Sequence, residues 1–284
     1  MKNLPLNYKV SAIQMNSQSD KKQNLKQAEE LIAEVVELEQ PQLICLPETF
    51  DCLGGGASHS QAQAEAFPNG EAYHIMSSLA KKYNIHLHAG SMHELAGKRW
   101  YNSSVIFNNH GAEIAKYRKI HLFDVAIPGG PTFKESDRVA PGHVEPITYD
   151  LPNGLRIGCA ICYDLRFPEL FQSLREKGAH IIVIPSAFTL QTGMEHWEVL
   201  LRARAIENQC FIIAPNQTGM HDNGKRSSYG QTMIIDPWGQ VIARRAGGIG
   251  AVVSRLDIEY LQRIRTAMPV QSHKIQISQN DVGL

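Results

Sequence analysis

This sequence has no excess of charge of either sign: 28 Lys and Arg stand against 28 Asp and Glu across 284 residues. A chain so balanced has no global field to hold it on nucleic acid or on an anionic membrane, so the expected partner is a small molecule. It has no apolar run long enough to cross a bilayer, and its opening, MKNLPLNYKVSAIQMN, carries no long apolar segment followed by a small-residue cleavage site. The expectation is a soluble, cytoplasmic protein. Cysteine is scarce and odd in number, five residues scattered along the chain, which is poor material for a secreted disulfide framework and fits free thiols in a reducing compartment. No linker, low-complexity tract or shift in composition divides residues 1–284, so one domain is expected, with a core over about 8–269 and a polar tail over 270–284.

What the chain does have is apolar residues, 43% of the total, enough to bury one large core or two modest ones. Short β-rich runs alternate with amphipathic helical stretches, the pattern of an α/β or layered α+β protein. Residues 10–15 read as a strand. Residues 21–39 read as a helix, because Leu25, Ala28, Leu31, Ile32, Val35 and Val36 recur at helical spacing before Pro41. The run QLICLPE is short and continuously apolar, a buried strand that Pro47 stops just before Glu48. A helix interrupted near Pro68 leads to strands around 85–91, 103–108 and 113–117. The pattern then lapses: residues 120–145 are rich in Pro and Gly without a clear period, and a structureless stretch of that length invites a functional explanation. Lys119 stands at its start and Glu135 inside it.

Beyond a turn at Pro152-Asn153-Gly154 comes a strand over 155–161, then the helix PELFQSLREKG with Gly178 as its C-cap. The strand HIIVIPS, the helix EHWEVLLRARAIENQ, the strand CFIIAPN, a hairpin turning at Asp236-Pro237-Trp238-Gly239 and the helix DIEYLQRIRTAM complete the reading. LICLPE and IIVIPS both end a buried strand with proline and a polar residue, hinting at two similar halves.

Cys162 falls at the junction between a strand and a helix, where a sharp turn exposes a thiol and aims backbone N–H groups near it. The blander alternative is a small core residue, which buried cysteines commonly are. With Cys159 it spells C-x-x-C, a weak signal for a redox pair or half a zinc site, since no second pair is present. His86, His88 and His93 have the residue type for a metal site, but hydrogen-bonded or exposed histidine is the commoner state. A thiol is only slightly ionised at neutral pH, so hydrolysis requires a base nearby. No histidine announces itself in a recognisable pattern, and Ile161 and Asp164 do not make the G-x-C-x-G elbow of triad-type glutamine amidotransferases.

LPETF, YRKIHLFD, TFKES and GCAICYDLRFPEL resemble, in order and spacing, the successive signature blocks of the nitrilase-like carbon–nitrogen hydrolases. The similarity continues through HWEVLLRARAIENQ and SSYGQTMIIDPWG to about Pro269, and is greatest to the Nit branch, which includes omega-amidase and the amidase of deaminated glutathione. The resemblance implies a four-layer α-β-β-α sandwich, a homodimer or an assembly of dimers, and no metal or organic cofactor. It places the catalytic carboxylate at Glu48, the lysine at Lys119, a second, orienting carboxylate at Glu135 and the nucleophile at Cys162. The implied reaction opens a small carboxylate-bearing linear amide through a thioester to acid and ammonia. Lys119 and the N–H of Tyr163 would hold the oxyanion and Glu48 would shuttle the proton. WEVLLRARAIENQ favours deaminated glutathione as substrate over 2-oxoglutaramate-type omega-amides, with nitriles as a further alternative. Arg166, four residues after Cys162, would grip a substrate carboxylate if the turn is helical, its alternative partners being Asp164 and Glu169; Phe188 and Thr192 would flank the pocket. A non-catalytic interaction module and a metallohydrolase are the readings from other classes.

Overall fold

The computed structural model describes residues 7–275, so the last part of the expected polar tail, 276–284, lies outside the described residues. The chain opens with strand β1 (Asn7–Gln14), whose side chains divide by parity: Val10 and Ala12 join one core, Ile13 the other. Helix α1 (Lys21–Glu39) is N-capped by Asp20, whose side chain accepts from the Gln23 N–H, and it closes at Gln40 in the left-handed region just before Pro41. Strand β2 (Leu43–Cys45), helices α2 (Gly56–Ala62) and α3 (Glu71–Tyr83) and strand β3 (His86–His88) follow, with Pro68 between the two helices. Strands β4 (Met92–Ala96), β5 (Arg99–Phe107) and β6 (Glu113–Arg118) finish the first half.

Between the halves a small hairpin forms from β7 (Asp124–Ala126) and β8 (Thr132–Lys134), followed by a single 3-10 turn at Glu135–Asp137. The second half runs through β9 (Thr148–Asp150), β10 (Arg156–Cys159), α4 (Pro168–Glu176), β11 (Ile181–Val183), α5 (Leu190–Asn208) and β12 (Phe211–Ala214). A side hairpin, β13 (Thr218–His221) and β14 (Arg226–Tyr229), precedes β15 (Thr232–Ile235), β16 (Val241–Arg245), β17 (Gly250–Asp257), α6 (Ile258–Ala267) and α7 (Val270–His273).

Two sheets result. One has seven strands, ordered β17-β1-β2-β3-β5-β4 with β6 on β5; the other has six, ordered β16-β15-β12-β11-β10-β9. In each, three successive strands run parallel: β1, β2 and β3 in the first, β10, β11 and β12 in the second. The two similar halves hinted at by LICLPE and IIVIPS are these triplets. Ile13, Ile44, Leu87 and Phe107 pack outward on Leu25, Ile32, Met76 and Leu79 of α1 and α3. Val10, Ala12, Cys45 and Ile106 face inward, into a core shared with Ile157 and Cys159, while Phe171, Leu174, Trp197 and Leu201 cover the far side of the second sheet. The layers are therefore α-β-β-α, as the sequence blocks implied.

The sequence reading missed six strands: β4, the β7–β8 hairpin, the β13–β14 hairpin and β17. β4 and the β13–β14 hairpin are rich in polar residues, and β17 is a partly exposed strand held by eight residues of antiparallel pairing with β1, at the far end of the chain. Pairing over that separation leaves no local trace.

Candidate active site

Four charged or nucleophilic side chains are delivered to one end of the sandwich. Glu48 follows β2 and Pro47 and is 5% exposed. Its loop is shaped by Gly90, at φ +47°, where a Cβ would come within 2.0 Å of the Pro47 carbonyl oxygen. Lys119 follows β6 and is 2% exposed; its backbone N–H donates to the Asn102 carbonyl at 2.9 Å, fixing where its side chain sets out. Glu135 begins the 3-10 turn after β8. Cys162 heads another 3-10 turn, Cys162–Arg166, at φ +45°, a conformation rare for a residue with a Cβ and characteristic of strained turns that present a nucleophile. Its N–H donates to the Pro185 carbonyl at 2.9 Å.

The side chains meet. Lys119 Nζ donates to Glu48 Oε1 at 2.9 Å and to Glu135 Oε2 at 2.8 Å. Asn102 Nδ2 bridges the two carboxylates, at 2.9 Å from Glu48 Oε1 and 3.2 Å from Glu135 Oε1. The second oxygen of Glu48 accepts the Ala187 N–H at 2.8 Å, from the loop after β11, and Glu135 Oε2 also accepts the Phe123 N–H at 2.7 Å. Each half of the molecule thus contributes a donor to Glu48.

Burial works against the Lys119 ammonium, but Glu135, Glu48 and Cys162 outweigh it and hold the amine well above its ordinary value, so it stays charged. Burial likewise opposes the Glu135 carboxylate, and Lys119, with the Phe123 and Asn102 donors, prevails and keeps it ionised. Burial and the neighbouring Glu48 carboxylate push the Cys162 thiol well above its ordinary value, with Lys119 and the Ala187 N–H pulling the other way. The resting thiol is therefore protonated, and Glu48, which lines the same cavity, is a group able to take its proton as sulfur attacks.

A cavity of about 780 Å³, including its open mouth, reaches this cluster and is lined by Glu48, Lys119, Glu135 and Cys162 together. Tyr163, Phe188 and Thr192 also line it. Arg166 does not: its guanidinium donates to His196 Nδ1 at 3.2 and 3.3 Å and lies over the Phe188 ring at 5.3 Å. The expectation rested on a spacing of four in an α-helix; in a 3-10 turn of about three residues per turn, four steps swing the side chain about 120° away. Nor does Asp164 pair with Arg166. It is fully buried, accepting Tyr117 Oη at 2.7 Å, the Ile161 N–H at 2.8 Å and the His121 N–H at 3.1 Å, with His121 Nδ1 at 2.7 Å, and so braces the turn that carries Cys162.

The region over 120–145, where periodicity lapses, proves to be the hairpin and turns that supply Glu135 and set Phe123 against Tyr163 at 5.1 Å. His86, His88 and His93 are not gathered: His88 Nδ1 faces Tyr149 Oη at 3.4 Å and His93 Nδ1 lies 3.6 Å from Asp51 Oδ1. Cys159 is packed between the sheets, away from the turn. Asn102, Asp164, His93, Arg138 and Arg226 belong to the site or its support without having been singled out for it. Asp164, two residues past Cys162, offered the only local signal.

A profile described as carbon-nitrogen hydrolase matches residues 9–266. The chain is 43% identical over 277 residues to the deaminated glutathione amidase of Bos taurus, an alignment covering 95% of this chain and 82% of the relative. Among solved structures it is similar to the NitFhit protein of Caenorhabditis elegans, at 36% identity and a TM-score of 0.89, covering 99% of this chain and 67% of that one. It is also similar to Saccharomyces cerevisiae Nit3, a member of branch 10 of the nitrilase superfamily, at 31% identity and a TM-score of 0.85, covering 98% of both chains.

Proposed function

The chain belongs to the carbon–nitrogen hydrolase family and acts on amides, and we propose that it hydrolyses a carboxylate-bearing linear amide, deaminated glutathione, using Cys162 as nucleophile. Glu48 takes the thiol proton as sulfur attacks the carbonyl carbon. Lys119 Nζ and the Tyr163 N–H stabilise the oxyanion that forms. Glu48 returns the proton to the leaving nitrogen, giving a thioester, and then activates water to release the acid. An unsubstituted amide loses ammonia in this cycle; in deaminated glutathione the nitrogen belongs to cysteinylglycine, so an amine leaves instead. Glu135 keeps Lys119 charged and aimed.

The observation that carries this reading is the placement of one buried carboxylate, Glu48, between the thiol of Cys162, the ammonium of Lys119 and the N–H of Ala187. His93 also lines the cavity, beside Asp51, but beyond burial and the Ala187 N–H the side chains that act on the thiol are Glu48 and Lys119, which supports a carboxylate rather than an imidazole as base. The same proposal makes the enzyme a single-domain cytoplasmic protein, a setting supported by five free, buried cysteines. It also makes it a homodimer or an assembly of dimers, for which exposed Val199, Ile206, Trp238 and Ile242 offer an apolar face.

The test is to supply the purified protein with deaminated glutathione, 2-oxoglutaramate and a matched nitrile and to follow products by chromatography. Cysteinylglycine released from the first faster than acid from the others is expected. Turnover of the nitrile alone would overturn the reading.

A further inference from the structure

Two arginines that the chemical cycle leaves unused line the same cavity. Arg138 follows the 3-10 turn begun by Glu135, and Arg226 opens β14 on the side hairpin, so distant segments bring two guanidiniums to one space. Arg226 lies over the Phe133 ring, its carbon Cζ 5.4 Å from the centroid, which fixes the direction from which it reaches the cavity. Burial lowers its affinity for its proton, and the field of Arg138 lowers it further, against weaker opposing fields from Glu48, Glu135 and Asp222. Among the described residues, neither guanidinium has a carboxylate within ion-pair distance.

Two like charges that share a half-closed cavity without a counter-ion repel each other, and an anion between them removes the repulsion. Guanidinium forks match the two oxygens of a carboxylate, and a partly desolvated site makes each such bond stronger than in water. Arg166, turned to His196 and Phe188, leaves that task open.

We propose that Arg138 and Arg226 together form the subsite for the substrate's carboxylate. The subsite rests on the amidase reading above, because it selects among amides. A tripeptide-like amide carries a carboxylate on its acyl side, next to the keto group, and another on its amine side, on glycine; the chemistry recognised is the same for both.

The test titrates the full chain calorimetrically with 2-oxoglutarate, for the acyl side, and cysteinylglycine, for the amine side. Arg226→Met and Arg138→Met are each expected to weaken one of these ligands on the order of 10- to 100-fold, leaving the other within about twofold and naming the side recognised. Arg226→Lys, which keeps charge but not the fork, should fall between parent and Met, whereas a merely unfolded variant would lose both ligands. Unchanged affinity for both ligands in both Met variants, or no binding of either by the parent, overturns the proposal. Binding is read without turnover, so a parent that hydrolyses no amide but loses carboxylate affinity in Arg226→Met sinks the amidase reading and spares the subsite.

Discussion

Lys119→Met tests the geometry most informatively, because it keeps the bulk of the side chain and removes its charge and donors. The parent ammonium serves two buried carboxylates, with side chains 6% and 12% exposed, at 2.9 and 2.8 Å. Taking one partner from a buried ion pair costs about 3–5 kcal/mol, chiefly because the remaining charge is stranded. Here two carboxylates are stranded side by side, so the upper end of that range is expected as a loss of unfolding free energy in urea. Turnover should fall on the order of 10² to 10³ from the missing oxyanion donor alone. The double variant Lys119→Met/Glu135→Gln separates the two effects. Removing one stranded charge should restore about 2 kcal/mol of stability, while kcat/KM stays at least about 10²-fold below the parent. A double variant that regains parental turnover along with its stability would refute the assignment of Lys119 to the transition state, and parental turnover in Lys119→Met itself would refute it outright.

Acid sensitivity should be traceable to His88. Burial pushes its imidazole down to about 3, so it stays neutral in the fold while the unfolded chain protonates it near 6.5. The unfolded state then binds more protons between those values, and stability that is full above pH 6.5 falls by about 1.4 kcal/mol per unit as pH drops toward 3. His88→Leu should lower the slope of urea-derived stability against pH by that amount; equal slopes would show that the ring is not kept neutral. Gly90→Ala should lower both stability and kcat, because its Cβ would meet the Pro47 carbonyl at 2.0 Å and displace the residue next to Glu48. A variant with parental Tm and kcat would show that Glu48 does not depend on that approach.

The features legible in the sequence are those with a local cause. α1 declared itself through its apolar stripe and Pro41, and Cys162 through its place between a strand and the Pro168 that opens α4. Glu48 showed as a carboxylate just past a strand-ending proline. Lys119 and Glu135, which alone read as a surface lysine and a loop acid, became visible only through the order of the motif blocks. Asn102 was hidden because its role depends on β5 lying beside β6, and Arg226 because a polar hairpin folds back over the site. Arg166 was misplaced for want of one fact, the tighter winding of the turn after Cys162.

The central claim is that a carboxylate, Glu48, activates the thiol of Cys162. Peptide-mapped alkylation of all five cysteines, in the parent and in Glu48→Gln, tests it most directly. The account predicts that Cys162, which lines the cavity with Glu48 and Lys119, is modified before Cys45, Cys159 and Cys210, which lie away from it, and before Cys52, which lines the same cavity but whose thiol donates to the Ser19 carbonyl at 3.7 Å. It also predicts that Cys162 labelling slows by about 10² or more in Glu48→Gln. Labelling of Cys162 at the same rate in both proteins would contradict it.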